Sequence, residues 1–100
     1  MNNSISATGY QTTNTPAGLI TILRLPATKS GSGYSRSTIY LRIAQGLWTK
    51  QVSLGPRCVG WPSYEVAALN AARIAGKTDQ EIRELVAKLE AARKTAGVQA

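Results

Sequence analysis

Ser35–Trp61 reads SRSTIYLRIAQGLWTKQVSLGPRCVGW, and the punctuation inside it decides the fold. Ser35 is a hydroxyl residue placed to accept a hydrogen bond from the backbone of Ser37 or Thr38, the standard way to satisfy a free N–H at a helix start. Ile39 and Ile43 lie four apart and share one face, with Leu47 continuing inward. Gly46 follows, a residue that takes the left-handed conformation closing a helix. With Ile39 and Ile43 turned to the core, Ser37, Thr38, Leu41, Ala44 and Gln45 fall on the opposite side. Beyond the helix, Trp48–Leu54 and Arg57–Trp61 read as two strands turning at Gly55-Pro56. An isolated hairpin is marginal in water, so Trp48, Val52 and Trp61 are expected to anchor it to the helices. Packing is the expected role of both tryptophans, with base stacking the alternative.

Working outward, Ile20–Leu25 is a β-compatible entry with Ile20, Ile22 and Leu25 as expected buried contacts. Pro26 suits the first turn of a helix. The segment PATKSGSG that it opens is a weak helix former, because each interior glycine costs about 1 kcal/mol relative to alanine; one to two turns are expected there. On the other side, Pro62-Ser63 opens a helix running to Ala75 with Val66, Leu69 and Ile74 as its larger apolar residues, and Gly76 ends it. Thr78-Asp79-Gln80-Glu81 matches a capping box. The helix that follows carries Ile82, Leu85, Val86 and Leu89 on one stripe, which either returns to the core or pairs with another chain. Asp79–Arg83, Glu84–Lys88 and Glu90–Lys94 are acid-first pairs four apart, each expected to add tenths of a kcal/mol on an exposed face.

The chain of 100 residues allows one small domain. Residues 1–19, MNNSISATGYQTTNTPAGL, hold no charge and few large apolar groups, a composition that does not offset ordering entropy. They are expected to form a disordered tail. Residues 20–76 form the expected DNA-binding unit. Residues 77–95 form a C-terminal helix packed on that unit or on a partner, and 96–100 a frayed end. The expected class is mainly α with a small β-hairpin, a winged helix-turn-helix.

Charge is unevenly distributed. Arg24 to Gly60 holds six Lys/Arg and no acid, while 61–100 holds six basic and five acidic residues; together they give the net +7. A basic segment without acids favours a polyanion. The chain has no histidine and one cysteine, Cys58. That excludes Ser-His and Cys-His nucleophile systems, an internal disulfide and the usual zinc sites. Cys58 is expected to be a small apolar residue of the hairpin. The five acids fall on expected helices, where surface ion pairing accounts for them; no catalytic site, metal or cofactor is expected. No apolar run is long enough for a membrane span, and no signal-peptide pattern precedes the domain.

A capped helix followed by a basic hairpin is the kit for placing a helix in the DNA major groove and a wing beside it. Arg36 at the helix start is positioned for phosphate or a base edge. Ser37 and Thr38 sit at the helix N-terminus, where backbone dipoles favour anions. Tyr40 can offer its hydroxyl to phosphate while its ring packs. Arg42 lies near the helix edge, where it is expected to touch the DNA backbone, and Lys50 and Arg57 flank the hairpin as wing contacts to phosphate.

RLP at 24–26, GYSRSTIY at 33–40, the helix end Ile43–Gly46, VSLGPRCVGW at 52–61 and EV at 65–66 resemble the AlpA-type prophage regulators, small relatives of the excisionase and MerR-like winged helix-turn-helix proteins. The resemblance runs from about Arg24 to Ala75, and KTDQEIRELVAKLEAAR at 77–93 is similar to the tail of many members. It implies a sequence-specific, double-stranded DNA-binding transcriptional regulator of prophage or mobile-island type, acting in the bacterial cytoplasm on the nucleoid. Arg36, Ser37, Thr38 and Tyr40 would be the helix contacts, with Lys50 and Arg57 on the wing. An alternative within the family is an excisionase-like architectural factor that bends DNA beside an integrase. A protein-interaction module working through Ile82, Leu85, Val86 and Leu89, by self-association or with another partner, is the alternative of another class. The sequence departs from the family pattern in its Gly/Ser-rich first helix. It also departs at Leu41, where many relatives carry a polar or basic residue; Leu41 either meets a thymine methyl or packs against a neighbour.

Overall fold

The computed structural model describes residues 20–96; the expectations for residues 1–19 and for 97–100 lie outside the described residues. In chain order the elements are β1 (Ile22–Leu23), α1 (Leu25–Ser32), α2 (Arg36–Ala44), β2 (Val52–Gly55), β3 (Cys58–Pro62), α3 (Ser63–Ile74) and α4 (Asp79–Ala96). The architecture is mainly helical with a small antiparallel sheet, a winged helix-turn-helix. The core gathers one face of each longer element: Ile39 from α2, Leu47 and Trp48 from the loop after it, Trp61 from β3, Val66, Leu69 and Ala72 from α3, and Ile82 and Val86 from α4.

The expected hairpin is the larger part of a three-stranded sheet in the order β1-β3-β2. β1 adds the third strand, pairing Ile22 with Pro62 and Leu23 with Trp61. Its approach depends on Gly60: a Cβ there would stand 2.6 Å from Ile22 Cγ2 and 2.9 Å from the Leu23 carbonyl oxygen, closer than any side chain tolerates. Ile22 therefore lies over Gly60 on the outer face of the sheet. This corrects the expectation that Ile20 and Ile22 are buried, since both are exposed; Leu25 packs against the core as expected, and Leu23 joins it.

The first strand of the hairpin is shorter than expected. Pairing begins at Val52, and Trp48–Gln51 is irregular. Trp48 and Thr49 are buried, and side chains occupy the backbone groups that a strand partner would have satisfied. The Thr49 carbonyl accepts from Trp61 Nε1 at 3.0 Å. The Lys50 N–H donates to Glu90 Oε2 at 2.8 Å, and the Lys50 carbonyl accepts from Arg93 Nη2 at 2.7 Å. Backbone groups that lack a strand partner need another, and here the partners come from β3 and α4.

α1 forms despite its composition because its neighbours hold it. Thr28 is fully buried, and Asn70 of α3 donates to the Gly31 carbonyl at 2.9 Å. Its eight residues slightly exceed two turns, and it ends at Gly33. α2 starts as expected, with Ser35 Oγ accepting from the Thr38 N–H at 3.2 Å. It closes at Gly46, whose φ of 77° lets the N–H groups of Gly46 and Leu47 return to the carbonyls of Ile43 and Arg42.

The capping box of α4 forms in both directions: the Thr78 N–H donates to Glu81 Oε1 at 2.9 Å and the Glu81 N–H donates to Thr78 Oγ1 at 3.2 Å. These bonds, the backbone one first, hold the Glu81 carboxyl below its ordinary range. The apolar stripe of α4 returns to the core of its own chain, with Ile82 and Val86 buried and Leu85 and Leu89 packed against it. None of the three acid-first pairs closes among the described residues. Arg83 donates instead to the Gln45 carbonyl, Glu84 accepts from Gln80, and Glu90 accepts from Lys50. Each side chain has a backbone or amide partner within reach, and a solvated ion pair on a helix surface is too weak to compete.

Candidate nucleic-acid interface

α1, the turn Gly33–Ser35 and α2 form the helix-turn-helix, and β2 and β3 form the wing. Along α2, Ile39 is fully buried and Ile43 half-buried, while Arg36, Ser37, Leu41, Ala44 and Gln45 are exposed. At 100° per residue, the direction opposite the Ile39/Ile43 face falls on Leu41. The outward surface of this helix is therefore Leu41 at the centre, with Ser37, Thr38, Ala44 and Gln45 around it and Tyr40 and Arg42 at its two edges; Arg36 is exposed at the helix start, beyond Tyr40.

The helix start is a knot of hydroxyls. Ser35 Oγ donates to Thr38 Oγ1 at 3.0 Å and lies 3.2 Å from Ser37 Oγ. With the Ser35 proton directed at Thr38, Ser37 is the donor in the second contact. The Thr38 hydroxyl proton stays available to an incoming acceptor. Thr38 is half-buried and partly committed to the cap, whereas Ser37 is exposed. Arg36 stands with its guanidinium 5.3 Å from the centroid of the Tyr40 ring, which restrains a long flexible side chain at the helix start. Tyr40 in turn packs edge-on against Trp61 at 6.4 Å between centroids. That contact ties α2 to β3, so the helix and the wing are positioned by one aromatic pair.

Arg42 points elsewhere. Its guanidinium lies 5.8 Å from the centroid of Tyr34 and donates to Gln45 Oε1 at 3.4 Å, on the flank of α2 away from Arg36. It is half-buried, and in this arrangement it braces the end of the helix. Tyr34 completes that flank by packing edge-on against Trp48 at 5.7 Å.

The wing separates its two cations. Lys50 precedes β2, while Arg57 occupies the turn between Gly55 and Cys58 at the opposite end of that strand. Arg57 is exposed and holds a φ of 55°, a left-handed conformation that costs a residue with a Cβ roughly 1–2 kcal/mol. Glycine or asparagine is the usual occupant of such a turn position. Arg24, the residue before the first helix, braces the wing, its Nε donating to the Val59 carbonyl at 3.0 Å.

One cluster was not anticipated. Glu65, expected on a helix surface, is completely buried. Arg93 of α4 grips it in a two-point arrangement, Nε to Oε2 at 2.8 Å and Nη2 to Oε1 at 2.7 Å. Bonding to Glu65 raises the Arg93 pKa above its ordinary value, against the opposing effect of desolvation, so this guanidinium stays charged. The same Nη2 and the carboxylate of Glu90 hold the two backbone polar groups of Lys50. The C-terminal helix thus fixes the base of the wing. A signal was present in the spacing: Glu65, Leu69 and Ala72 fall at i, i+4 and i+7, placing a carboxylate on an apolar stripe.

Comparison with known proteins converges on the same region. A family model described as prophage CP4-57 regulatory protein (AlpA) matches residues 21–73, from β1 to the last turn of α3. A protein of Enterobacteria phage P4, named Uncharacterized protein ORF88, is 49% identical over 55 residues. That stretch covers 55% of this chain and 62% of the phage protein, so the chain spans less than two thirds of its relative's length. No solved structure gives a significant match. Among the described residues, no helix is long and apolar enough to cross a membrane.

Proposed function

Because the chain belongs to the AlpA family of prophage regulatory proteins, we propose that it is a sequence-specific double-stranded DNA-binding transcriptional regulator. In this reading α2 enters the major groove and the hairpin wing lies on the adjacent backbone. The observation that carries the reading is the outward face of α2: uncharged, with the short side chains of Ser37, Thr38 and Ala44 around Leu41, Arg36 exposed at the helix start, and the whole lying in a segment of six cations without an acid. A face made only for solvent has no need of that restriction on size and charge sign, whereas close approach to a polyanion does.

Arg36, Ser37 and the hydroxyls of Thr38 and Tyr40 serve as the helix contacts, and Arg57 serves as the principal wing contact. Lys50 contributes less field than Arg57, because Glu90 stands at its own backbone. Arg42 acts through the shape of the helix end. The apolar stripe of α4 faces its own core, which favours DNA binding over an interaction module built on that stripe.

The test is fluorescence anisotropy on duplexes tiling the DNA upstream of the protein's own gene, repeated across a salt series. Three or four phosphate contacts give a log–log slope of about −3 to −4, at about 0.9 per contact. The double variant Arg36→Ala/Arg57→Ala is expected to weaken binding and flatten the slope by about 2. Absence of a selective complex at moderate salt, or full binding by the double variant, contradicts the reading.

A further inference from the structure

Resting on that DNA-binding reading, we infer that Leu41 is a specificity-determining contact of α2 and that it selects a thymine through its C5-methyl group. Leu41 is 55% exposed and lies opposite the buried Ile39/Ile43 face, at the centre of the surface that α2 presents. Its helical neighbours on that surface are Ser37 and Thr38 one turn before it, and Ala44 and Gln45 one turn after it. All are shorter or uncharged, so the leucine side chain stands above a low, neutral floor.

A large apolar side chain at the middle of an otherwise polar helix face contributes nothing to the core. In water it is unfavourable, and it stops being so when covered. DNA offers few ways to cover it. Major-groove edges of guanine, adenine and cytosine present acceptors and donors, and seating leucine against them strips water from those groups without replacing the hydrogen bonds. Thymine alone among the four bases displays an apolar group there, the C5-methyl. Leu41 therefore favours thymine and disfavours the other three bases at the position beneath it. Arg36, at the helix start, sets the phosphate register that brings the helix centre over that base.

The experiment uses the full-length chain and a duplex selected from a random pool. Each thymine of the selected site is replaced in turn by deoxyuridine, which lacks the methyl and is otherwise identical in its hydrogen-bonding edge. Replacement at one position is expected to weaken wild-type binding about fourfold, the worth of one buried methyl group. Leu41→Ala is expected to bind the thymine site about four- to tenfold more weakly and to lose the distinction between thymine and uracil at that position. Because residue 41 faces away from the core, the variant should unfold at the wild-type urea midpoint. Equal wild-type affinity for thymine and uracil at every position overturns the inference while leaving the DNA-binding reading intact, as does a Leu41→Ala protein that keeps the full thymine preference. Failure to select any duplex overturns both.

Discussion

Arg93→Ala is the substitution with the largest consequence that the fold implies. Glu65 has no exposed surface, and both of its carboxylate oxygens accept from Arg93. Removing the guanidinium leaves a buried carboxylate without partner, a loss of about 3–5 kcal/mol when the pair is deeply buried. The Arg93 side chain is 23% exposed, so water can enter the vacated volume, and the lower end of that range, about 3 kcal/mol, applies. The same substitution frees the Lys50 carbonyl, adding about 1 kcal/mol. For a domain of 60–100 residues each kcal/mol moves the melting temperature by about 4–8 °C, so the total of about 4 kcal/mol implies a fall of at least about 16 °C. Urea unfolding followed by tryptophan fluorescence measures it directly. Glu65→Gln alone should cost less, because Arg93 can turn towards solvent. The double variant Glu65→Gln/Arg93→Ala should be more stable than Arg93→Ala by at least about 1 kcal/mol, since it no longer buries a charge. If Arg93→Ala unfolds within about 0.5 kcal/mol of wild type, or if the two substitutions simply add, the ion pair does not hold α4 in place.

Arg57→Gly should move stability and binding in opposite directions: relief of the left-handed backbone, less the entropy of glycine, stabilises by about 0.5–1 kcal/mol, while the salt slope of DNA binding falls by about 0.9. A urea midpoint that drops would refute the strain argument. Trp61→Phe should destabilise more than Trp48→Phe by about 1–3 kcal/mol, because only the Trp61 indole N–H has a protein acceptor, the buried Thr49 carbonyl; equal losses in urea titrations would count against that bond. Glu81 has a folded pKa below its unfolded value, so its contribution is fully present above the unfolded pKa and is lost as pH falls through the lowered folded one. Stability measured from pH 7 downward should therefore decline less steeply in Glu81→Gln than in wild type, and identical acid limbs would show that the capping box adds nothing through charge.

Both ends of α2, the end of α3 and the start of α4 were legible because helix ends are chemically marked. Ser35, Gly46, Gly76 and the pair Thr78/Glu81 carry the groups that satisfy free backbone donors or adopt positive φ, and these act within a few residues. The outward face of α2 was legible for the same reason, since Ile39 and Ile43 fix the rotation of the helix. Arg36, Ser37 and Arg57 were found on exposed surface as expected. Arg42 is half-buried instead, with its guanidinium near the Tyr34 ring, a placement that depends on where Tyr34 lies after folding. Trp48–Gln51 alternates well enough to suggest a strand, but its hydrogen-bond partners come from 12 to 43 residues away.

Sequence alone determined the kind of object this is: a short capped helix with an uncharged outward face, a basic hairpin behind it, and an acid-free segment that suits a polyanion. Those are properties of periodicity, capping chemistry and charge count, all local or additive along the chain. Tertiary structure decided which charges are surface and which are structural. It buried Glu65 against Arg93, turned Glu90 and Arg93 into the clamp on Lys50, drew Arg42 onto Tyr34 and left Leu41 at the centre of the presented face. The physical reason is that a side chain's partner is whatever the fold brings within hydrogen-bonding distance, and a separation of 28 residues along the chain becomes 2.7 Å only after α4 has docked.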